Sequence, residues 1–345
     1  MKTYFLEQLL APSNGIDTQS QAPCVLTIGN FDGVHLGHQA MLAQMHALAK
    51  ERKLSSAVMI FEPQPREFFA PESAPARLTN LAEKQTLLAA YGVETLIVAG
   101  FDAEFRALSA HAFADLLVQR LNVKALVLGD DFRFGHDRTG DSAFLRHYGL
   151  PVMNLTTVTD NSAANQRISS TRVRDLLLAG NISAANQLLG RDYTITGTVV
   201  GGDKIGRTMD FPTANIDLAR IKPALHGIFA VDVVLLDNNG QVVENGFDAL
   251  IEDGQMGLSG LRAHSLFGAA NIGIRPSVDK KHDWRLEVHF PQLHANLYGQ
   301  TLDVRFLHFL HDERHYANFE ALKTGIHQDV IELLAWRDQQ LTKMS

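Results

Sequence analysis

The chain has 345 residues, of which 46% are hydrophobic and 20% charged, so it is long enough for two domains with ordinary buried cores. A formal net charge of -7 argues against a broad basic face for nucleic acid, and any anion site must be built locally. The single cysteine, Cys24, excludes an intramolecular disulfide framework and a cysteine-based metal cluster.

The N-terminal segment lacks the long apolar core and small-residue cleavage site of a signal peptide. No apolar run along the chain approaches the ~20 residues that are needed to cross a membrane. We therefore expect a cytoplasmic protein without membrane association. The sequence leaves its oligomeric state open.

The first half of the chain alternates short apolar runs with helical patterns. Strands are predicted at 25–29, 56–61, 95–99, 125–129 and 152–155, and helices at 39–52, 81–91, 110–121 and 142–148. Nearly continuous apolar strands separated by helices indicate a parallel sheet that is covered on both faces. Ligands of such sheets bind at the carboxyl ends of the strands.

The pattern changes near residues 188–193, where a second domain is predicted to begin. The segments "YTITGTVV", "GIFAVDVVLL", "RLEVHF" and "LDVRFLHFL" alternate with turn residues, which is typical of an antiparallel barrel. A final helix is predicted from an apolar stripe at intervals of three or four residues, formed by Phe319, Leu322, Ile326, Val330 and Leu333.

A glycine-rich turn, "GNFDGVHLGHQ", follows the first predicted strand and leads into a predicted helix. Its glycines allow close approach of the backbone to a ligand, and the helix start offers free N–H groups to an anion. His35 and His38 can both face that point and stabilise charge that grows on a phosphate. The alternatives are a plain turn with solvated histidines and a zinc site, although no third ligand stands at a familiar spacing.

A second helix start, "RISSTRVRDLL", fits the same kind of pocket. Ser169 or Ser170 can cap this helix, while Arg167, Arg172 and Arg174 place positive charge where the helix dipole disfavours it. That arrangement indicates a bound phosphate, and solvated arginines are the alternative. The loop "GDDFRFG" follows another strand end, where adenine and ribose contacts are expected.

In this order, "GNFDGVHLGHQ", "GDDFRFG" and "ISSTRVR" resemble the adenylyltransferase module of bacterial bifunctional riboflavin kinase/FAD synthetases. The stretch "LLGRDYTITGTVVGGDKIGRTMDFPTAN" resembles the start of that family's kinase module. The resemblance implies an α/β Rossmann-like nucleotidylyltransferase domain over residues 1–187. It also implies a small antiparallel flavokinase β-barrel with a C-terminal helix over residues 188–345. ATP would be the co-substrate, FMN and FAD the products, and Mg²⁺ or another divalent cation the cofactor.

For the first domain, the resemblance implies that the phosphate of FMN attacks the α-phosphorus of ATP and that pyrophosphate leaves. His35 and His38 would stabilise the transition state, since phosphoryl chemistry relies mainly on position and charge. Implied ATP and phosphate contacts are Gly29, Asn30, Phe31, Gly33, Gly37, Asp131, Arg167, Ser169, Ser170, Thr171 and Arg174. Implied flavin contacts are Phe61, Pro63, Arg66 and Phe68 of "FEPQPREFF", whose phenylalanines fit a core role equally well.

In the second domain, Thr213 and Asn215 of "PTAN" offer hard oxygen ligands on the same side of an extended chain, as magnesium prefers. The strand "RLEVHF" is predicted to lie opposite. Its alternating apolar residues should share the buried face, so Glu287 and His289 should point the other way.

The resemblance implies that Glu287 accepts the proton of the riboflavin 5′-hydroxyl as that oxygen attacks the γ-phosphate of ATP. It further implies that Gly202, Lys204, Gly206 and Arg207 contact the phosphates. The flavin-side residues implied for the kinase are Arg275, His311 and Glu313.

Three departures from the family pattern fall in the second domain. Asp210 replaces a glycine, His311 replaces a permanently charged arginine, and residues 236–267 include a Gly-rich insertion that can cover the site or simply fill an exposed loop. They motivate an alternative function, an FAD synthetase with a weak or inactive kinase. A non-catalytic flavin or nucleotide sensor is a third hypothesis, which the retained histidines and Glu287 disfavour.

Overall fold

The computed structural model describes residues 1–10, 22–160, 165–201, 211–251, 255–275 and 283–344. The chain divides into two compact units. The first comprises Met1–Pro75 and Leu81–Ser170, and the second comprises Ala76–Asn80 and Thr171–Ser345.

The first unit contains a parallel sheet of strands in the order β1-β4-β3-β2-β5-β6. The strands are β1 (Lys2–Phe5), β2 (Cys24–Ile28), β3 (Ser55–Glu62), β4 (Thr95–Gly100), β5 (Val123–Gly129) and β6 (Val152–Leu155). The predicted parallel sheet is confirmed. Strand β1 was not predicted, because four residues that are partly or fully exposed carry too short an apolar pattern.

Helices cover both faces of this sheet. They are α1 (Leu6–Leu10), α2 (Leu36–Arg52), α3 (Pro65–Phe69), α4 (Leu81–Ala90), α5 (Ala103–Arg106), α6 (Ala110–Asp115) and α7 (Ser142–His147). Successive side chains of β2 alternate between two apolar clusters: Leu26 and Ile28 belong to one and Val25 to the other. Both faces of the sheet are therefore buried, as the nearly continuous apolar strands predict.

The second unit is built on a closed barrel of antiparallel neighbours in the order β10-β11-β8-β7-β12-β9. Its strands are β7 (Thr194–Val200), β8 (Thr213–Ile216), β9 (Gly227–Leu236), β10 (Leu266–Arg275), β11 (Asp283–His289) and β12 (Thr301–His311). Its helices are α8 (Ser170–Leu178, which starts at the last residue of the first unit), α9 (Ile182–Leu189) and α10 (Phe319–Met344). The barrel and the final helix confirm the predicted architecture.

The segment Ala76–Asn80 belongs to the second unit although it lies early in the chain. The Tyr193 hydroxyl donates to the Leu78 carbonyl at 3.0 Å, and the Arg77 N–H donates to the Lys222 carbonyl at 3.0 Å. These bonds join the segment to the barrel strands and their loops. The boundary at 187/188 concerns the division of activities and remains a prediction.

The predicted insertion between β9 and β10 is attached to the barrel wall. Arg262 donates to the Asp303 carboxylate at 3.0 Å and to the Asp303 carbonyl at 2.7 Å, and the Leu261 N–H donates to Asp232 at 2.9 Å. Phe247 of the same segment is buried and its ring contacts that of Phe290. The described part of the insertion is thus a packed element rather than a loose loop.

Candidate active sites

The turn after β2 has an unusual backbone. Phe31, Gly33 and Val34 have φ values of 48°, 80° and 41°, although only one of the three is glycine. The side chains of Phe31 and Val34 are completely buried, which holds this backbone in place. Strained non-glycine residues of this kind are found preferentially at ligand sites. The turn presents its backbone to the start of α2.

His35 and His38 form a stacked pair at that helix start. His35 is the N-cap of α2, and its Nδ1 accepts from the His38 backbone N–H at 3.3 Å. The two ring centroids are 3.8 Å apart with an angle of 16° between the planes. A Cβ on Gly37 would lie only 3.0 Å from His35 Cε1, so the residue between them must be small. Because Nδ1 of His35 accepts, its neutral form carries the proton on Nε2.

Other predicted contacts also lie in the first unit. The Ser170 hydroxyl donates to the Asp32 carbonyl at 2.8 Å, which ties the end of this unit to the turn after β2. Arg167 and Asp131 form an exposed ion pair at 3.2 Å. Thr171 and Arg174 belong to the second unit, where the Arg174 guanidinium donates to the Ala76 carbonyl.

An aromatic cavity of about 440 Å³ lies in the first unit. Of the predicted flavin contacts, Phe61 lines it, whereas Pro63, Arg66 and Phe68 do not. Phe68 contacts the rings of Phe69 and Phe101. Phe69 of "FEPQPREFF" and Phe132 and Arg133 of "GDDFRFG" also line it. Outside the sequence motifs, the lining includes Phe101, Phe105, Arg106 and Arg138.

The second unit has a cavity of about 320 Å³ between the outer face of the barrel and α10. Leu286, Val288 and Phe290 are buried, while Glu287 and His289 line this cavity, as the strand alternation predicts. The helix contributes Leu322, Ile326, Asp329 and Val330. Phe319, which begins the predicted apolar stripe, is instead 47% exposed.

The polar residues of the cavity form one row across neighbouring strands. Asn215 pairs with Glu287, Glu287 with Asn271, Asn271 with Ile228, and Ile228 with His311. Directly opposed residues project to the same face, so strand register alone gathers these groups. Thr213 lies opposite His289 in the same way.

For two groups that line this cavity, the hydrogen bonding is defined. The Nδ1–H of His289 donates to the Pro212 carbonyl at 3.1 Å, and burial lowers the pKa of His289, so the ring is neutral. Asn215 Oδ1 is buried, and within the described part of the chain it has no hydrogen-bond partner. A buried oxygen of this kind indicates a ligand that the protein itself does not supply.

The flavin-side residues predicted for the kinase lie at the other end of the row. His311 Nε2 is 2.8 Å from the Asp329 carboxylate and its Nδ1 is 2.7 Å from the Asp312 carbonyl. Glu313 accepts from Asn271 at 3.3 Å. Sequence reasoning missed the contact of Asn271 with Glu313 and that of Asp329 with His311, because these partners are distant in the chain.

Several predicted residues cannot be placed. Gly202, Lys204, Gly206, Arg207 and Asp210 lie outside the described residues. Arg275 ends β10, but only its backbone is described. Among the described residues, no three His, Cys, Asp or Glu side chains are grouped so as to hold a metal ion, and no described helix is long and apolar enough to span a membrane.

Comparison with known proteins gives two family matches. The family model for FAD synthetase matches residues 17–172, and that for riboflavin kinase matches residues 189–336. The chain is 42% identical over 334 residues to a bifunctional riboflavin kinase/FMN adenylyltransferase of Escherichia coli (strain K12), covering 95% of this chain and 98% of that one. A protein of the same name from Pseudomonas fluorescens is 42% identical over 309 residues, covering 89% and 91%.

A solved structure shares the fold over nearly the whole length. It is a crystal structure from Streptococcus pneumoniae titled as a macrolide-efflux protein, with a TM-score of 0.70 and 26% identity. The likeness covers 95% of this chain and 97% of that one.

Proposed function

Because the chain belongs to the family of bifunctional riboflavin kinase/FMN adenylyltransferases, we propose that it makes FAD in two steps. Riboflavin and ATP give FMN, and FMN and a second ATP give FAD and pyrophosphate. The observation that supports this proposal is that each of the two units has its own candidate site, the stacked His35–His38 pair in the first and the cavity with Glu287 in the second. The activities divide near 187/188, between the two family matches.

In the adenylyltransferase, a phosphate oxygen of FMN attacks the α-phosphorus of ATP, and the bond to pyrophosphate breaks. His35 and His38 stabilise the negative charge of the transition state and of the leaving group. Their position at the start of α2 supports this role, because the helix dipole and the free N–H groups favour anions there.

The remaining contacts of this site position the nucleotide. The turn residues Gly29, Asn30, Phe31, Gly33 and Gly37 act mainly through the backbone near the phosphates, as the positive φ values of Phe31 and Gly33 favour. Side chains that hold ATP are Asp131, Arg167, Ser169, Ser170, Thr171 and Arg174.

The aromatic cavity of the first unit is proposed as the site of the FMN ring. Its volume of about 440 Å³ and its phenylalanine lining suit a flat apolar ring. Phe61 contacts the ring directly, and Phe68 supports the rings of Phe69 and Phe101. Pro63 and Arg66 act at the edge of the site.

In the kinase, Glu287 takes the proton of the riboflavin 5′-hydroxyl while that oxygen forms a bond to the γ-phosphorus of ATP. The bond from the γ-phosphorus to the bridging oxygen breaks, and ADP leaves. Gly202, Lys204, Gly206 and Arg207 hold the phosphates. His311, Glu313 and Arg275 hold the flavin; the first two line the cavity that contains Glu287.

Thr213 and Asn215 are proposed ligands of Mg²⁺ or another divalent cation. Both line the cavity, both offer hard oxygens, and the buried Asn215 Oδ1 lacks a hydrogen-bond partner within the described residues. When bound, the cation would neutralise charge on the ATP phosphates. The ATP requirement of both steps supports a cytoplasmic location.

The test is to incubate the purified protein with ATP and Mg²⁺, once with riboflavin and once with FMN, and to separate the flavins by chromatography. We expect FMN and FAD from riboflavin, and FAD from FMN. FAD from FMN without any product from riboflavin would restrict the function to FAD synthesis. No turnover of either flavin would leave a binding protein.

A further inference from the structure

Asn271 has no assigned role in either reaction, yet it lies in the centre of the polar row of the kinase cavity. It pairs with Glu287 on one side and with Ile228 on the other. Its neighbours along β10, Ala270 and Ile272, are buried in the barrel, so Asn271 projects outward and lines the cavity beneath α10.

The orientation of the Asn271 amide is fixed by Glu313. Asn271 Nδ2 is 3.3 Å from Glu313 Oε1, and a carboxylate can only accept, so the NH₂ group must face it. A carbonyl in that place would face negative charge. Asn271 Oδ1 therefore points away from Glu313.

Asn271 Oδ1 is buried and, within the described residues, has no hydrogen-bond partner. Buried carbonyl oxygens in proteins nearly always accept a hydrogen bond. The cavity is large enough to hold a ligand, and a ligand with a donor beside Glu287 would complete the site.

We propose that Asn271 is a positioning residue of the kinase, whose Oδ1 accepts a hydrogen bond from a ribityl hydroxyl of riboflavin. The inference rests on the proposed kinase function. Opposed residues on antiparallel strands lie about 4.5–5.5 Å apart, so this acceptor is one strand away from Glu287, where the 5′-hydroxyl reacts. The hydroxyls next to that end of the ribityl chain lie at such a separation, whereas the ring is at the other end.

The contact would fix the direction in which the ribityl chain enters. With Asn271 holding a neighbouring hydroxyl, the 5′-oxygen is kept beside Glu287 instead of rotating freely. The site would thus select a polyhydroxylated chain, and not merely a flavin ring.

The test compares Asn271→Leu, which keeps the side-chain volume but removes the acceptor, with the wild-type protein. We expect the KM for riboflavin to rise by roughly tenfold, because a buried donor of the substrate would be left without a partner. Lumiflavin, which carries a methyl group in place of the ribityl chain, serves as a competitive inhibitor. Its Ki should stay unchanged.

An unchanged KM for riboflavin in a folded variant would overturn the inference. An equal rise in the Ki for lumiflavin would also overturn it, since the contact would then be to the ring or merely structural. If Asn271→Leu does not fold, as judged by tryptophan fluorescence, Asn271→Ala is measured in the same way. Absence of FMN formation by the wild-type protein would instead refute the proposed kinase itself.

Discussion

The proposed site of the first unit takes its central groups from residues at one strand-to-helix turn, whereas the proposed site of the second unit takes them from several barrel strands and a helix. In the first, His35, His38 and the backbone between them lie within one turn of α2. In the second, Asn215, Glu287 and Asn271 meet because β8, β11 and β10 pair in one register.

The difference determines how each site can fail. The first depends on local backbone geometry, including the positive φ of Phe31 and Val34 and the absence of a side chain at Gly37. The second depends on long-range pairing, because a slip of one residue in β11 would turn Glu287 into the barrel. A substitution at either site should therefore leave the other reaction intact.

The largest effect is expected for Glu287→Gln, which keeps the side-chain shape but removes the proposed proton acceptor. FMN formation should fall by roughly 10²–10⁴-fold, as is typical of the loss of a general base. FAD formation from FMN should not change. Chromatography of the flavins measures both rates.

Glu244→Gln is the matched control, because Glu244 is an exposed residue of the insertion and does not line the cavity. It should leave both rates unchanged. Equal loss of both reactions in Glu287→Gln would contradict the separation of the sites.

The next effect is expected for His38→Ala at the first site. FAD formation should fall by roughly 10²–10³-fold, the usual consequence of removing one group that stabilises transition-state charge. FMN formation from riboflavin should persist, so FMN should accumulate in place of FAD.

The control for this variant is His46→Ala on the same helix. His46 bonds to the Tyr91 carbonyl at 2.9 Å and takes no part in the turn after β2. It should retain FAD formation. A similar loss in both variants would mean that His38 supports the helix instead of the reaction.

The same contrast, between a site formed by neighbouring residues of the chain and one formed by strand pairing, determines which parts of each site can be predicted from the sequence. The turn after β2 was found from contiguous residues, and even its helix needed only a small correction, from residue 39 to Leu36, because His35 is the cap. Thr213, Asn215, Glu287 and His289 were predicted on one side of paired strands from alternation alone.

The groups that escaped prediction come together only through tertiary structure. Asn271 joins Glu287 through the register of β10 and β11, and Asp329 reaches His311 from α10. Phe101 and Phe105 follow β4, where the sequence has no ligand-binding pattern that would tie them to Phe61. A single sequence shows that such residues are polar or aromatic, but it does not show which residues of other strands they will lie beside.

A smaller effect tests whether the predicted insertion of the second unit belongs to the kinase site. Among the described residues of the insertion, none lines the cavity of Glu287, and Arg262 instead binds Asp303 and the Asp232 carbonyl. Arg262→Ala should lower the free energy of unfolding of this unit by about 1–3 kcal/mol, because the largely buried Asp303 carboxylate loses its charged partner and, within the described residues, keeps only the Thr196 hydroxyl. The KM for riboflavin should stay the same.

Both tryptophans, Trp284 and Trp336, lie in the second unit, so their fluorescence during urea unfolding follows this unit. Gln241→Ala, an exposed position in the same insertion, is the control. A raised KM without loss of stability in Arg262→Ala would show that the insertion acts on the site after all.

The smallest effect concerns a contact between β12 and α10 of the second unit. The rings of His308 and Trp336 are stacked with centroids 5.0 Å apart and an angle of 6° between them, and burial lowers the pKa of His308 from its ordinary 6.5. Between the lowered and the ordinary pKa, the His308 ring of the folded protein is therefore neutral, whereas the same ring in the unfolded chain is protonated. The contribution of neutral His308 to the free energy of unfolding is fully present above the ordinary pKa, and it is lost as the pH decreases through the lowered pKa.

His308→Phe keeps an aromatic ring against Trp336 but cannot bind a proton. We expect its free energy of unfolding to match that of the wild type within about 1 kcal/mol at neutral pH, since one stacked ring replaces another. As the pH decreases below the ordinary pKa of His308, the free energy of unfolding of the variant should decline less steeply than that of the wild type. His289, whose pKa is also lowered by burial, retains part of the acid sensitivity in both proteins. Urea unfolding followed by tryptophan fluorescence at several pH values measures the difference, and identical slopes would mean that His308 gains no proton on unfolding.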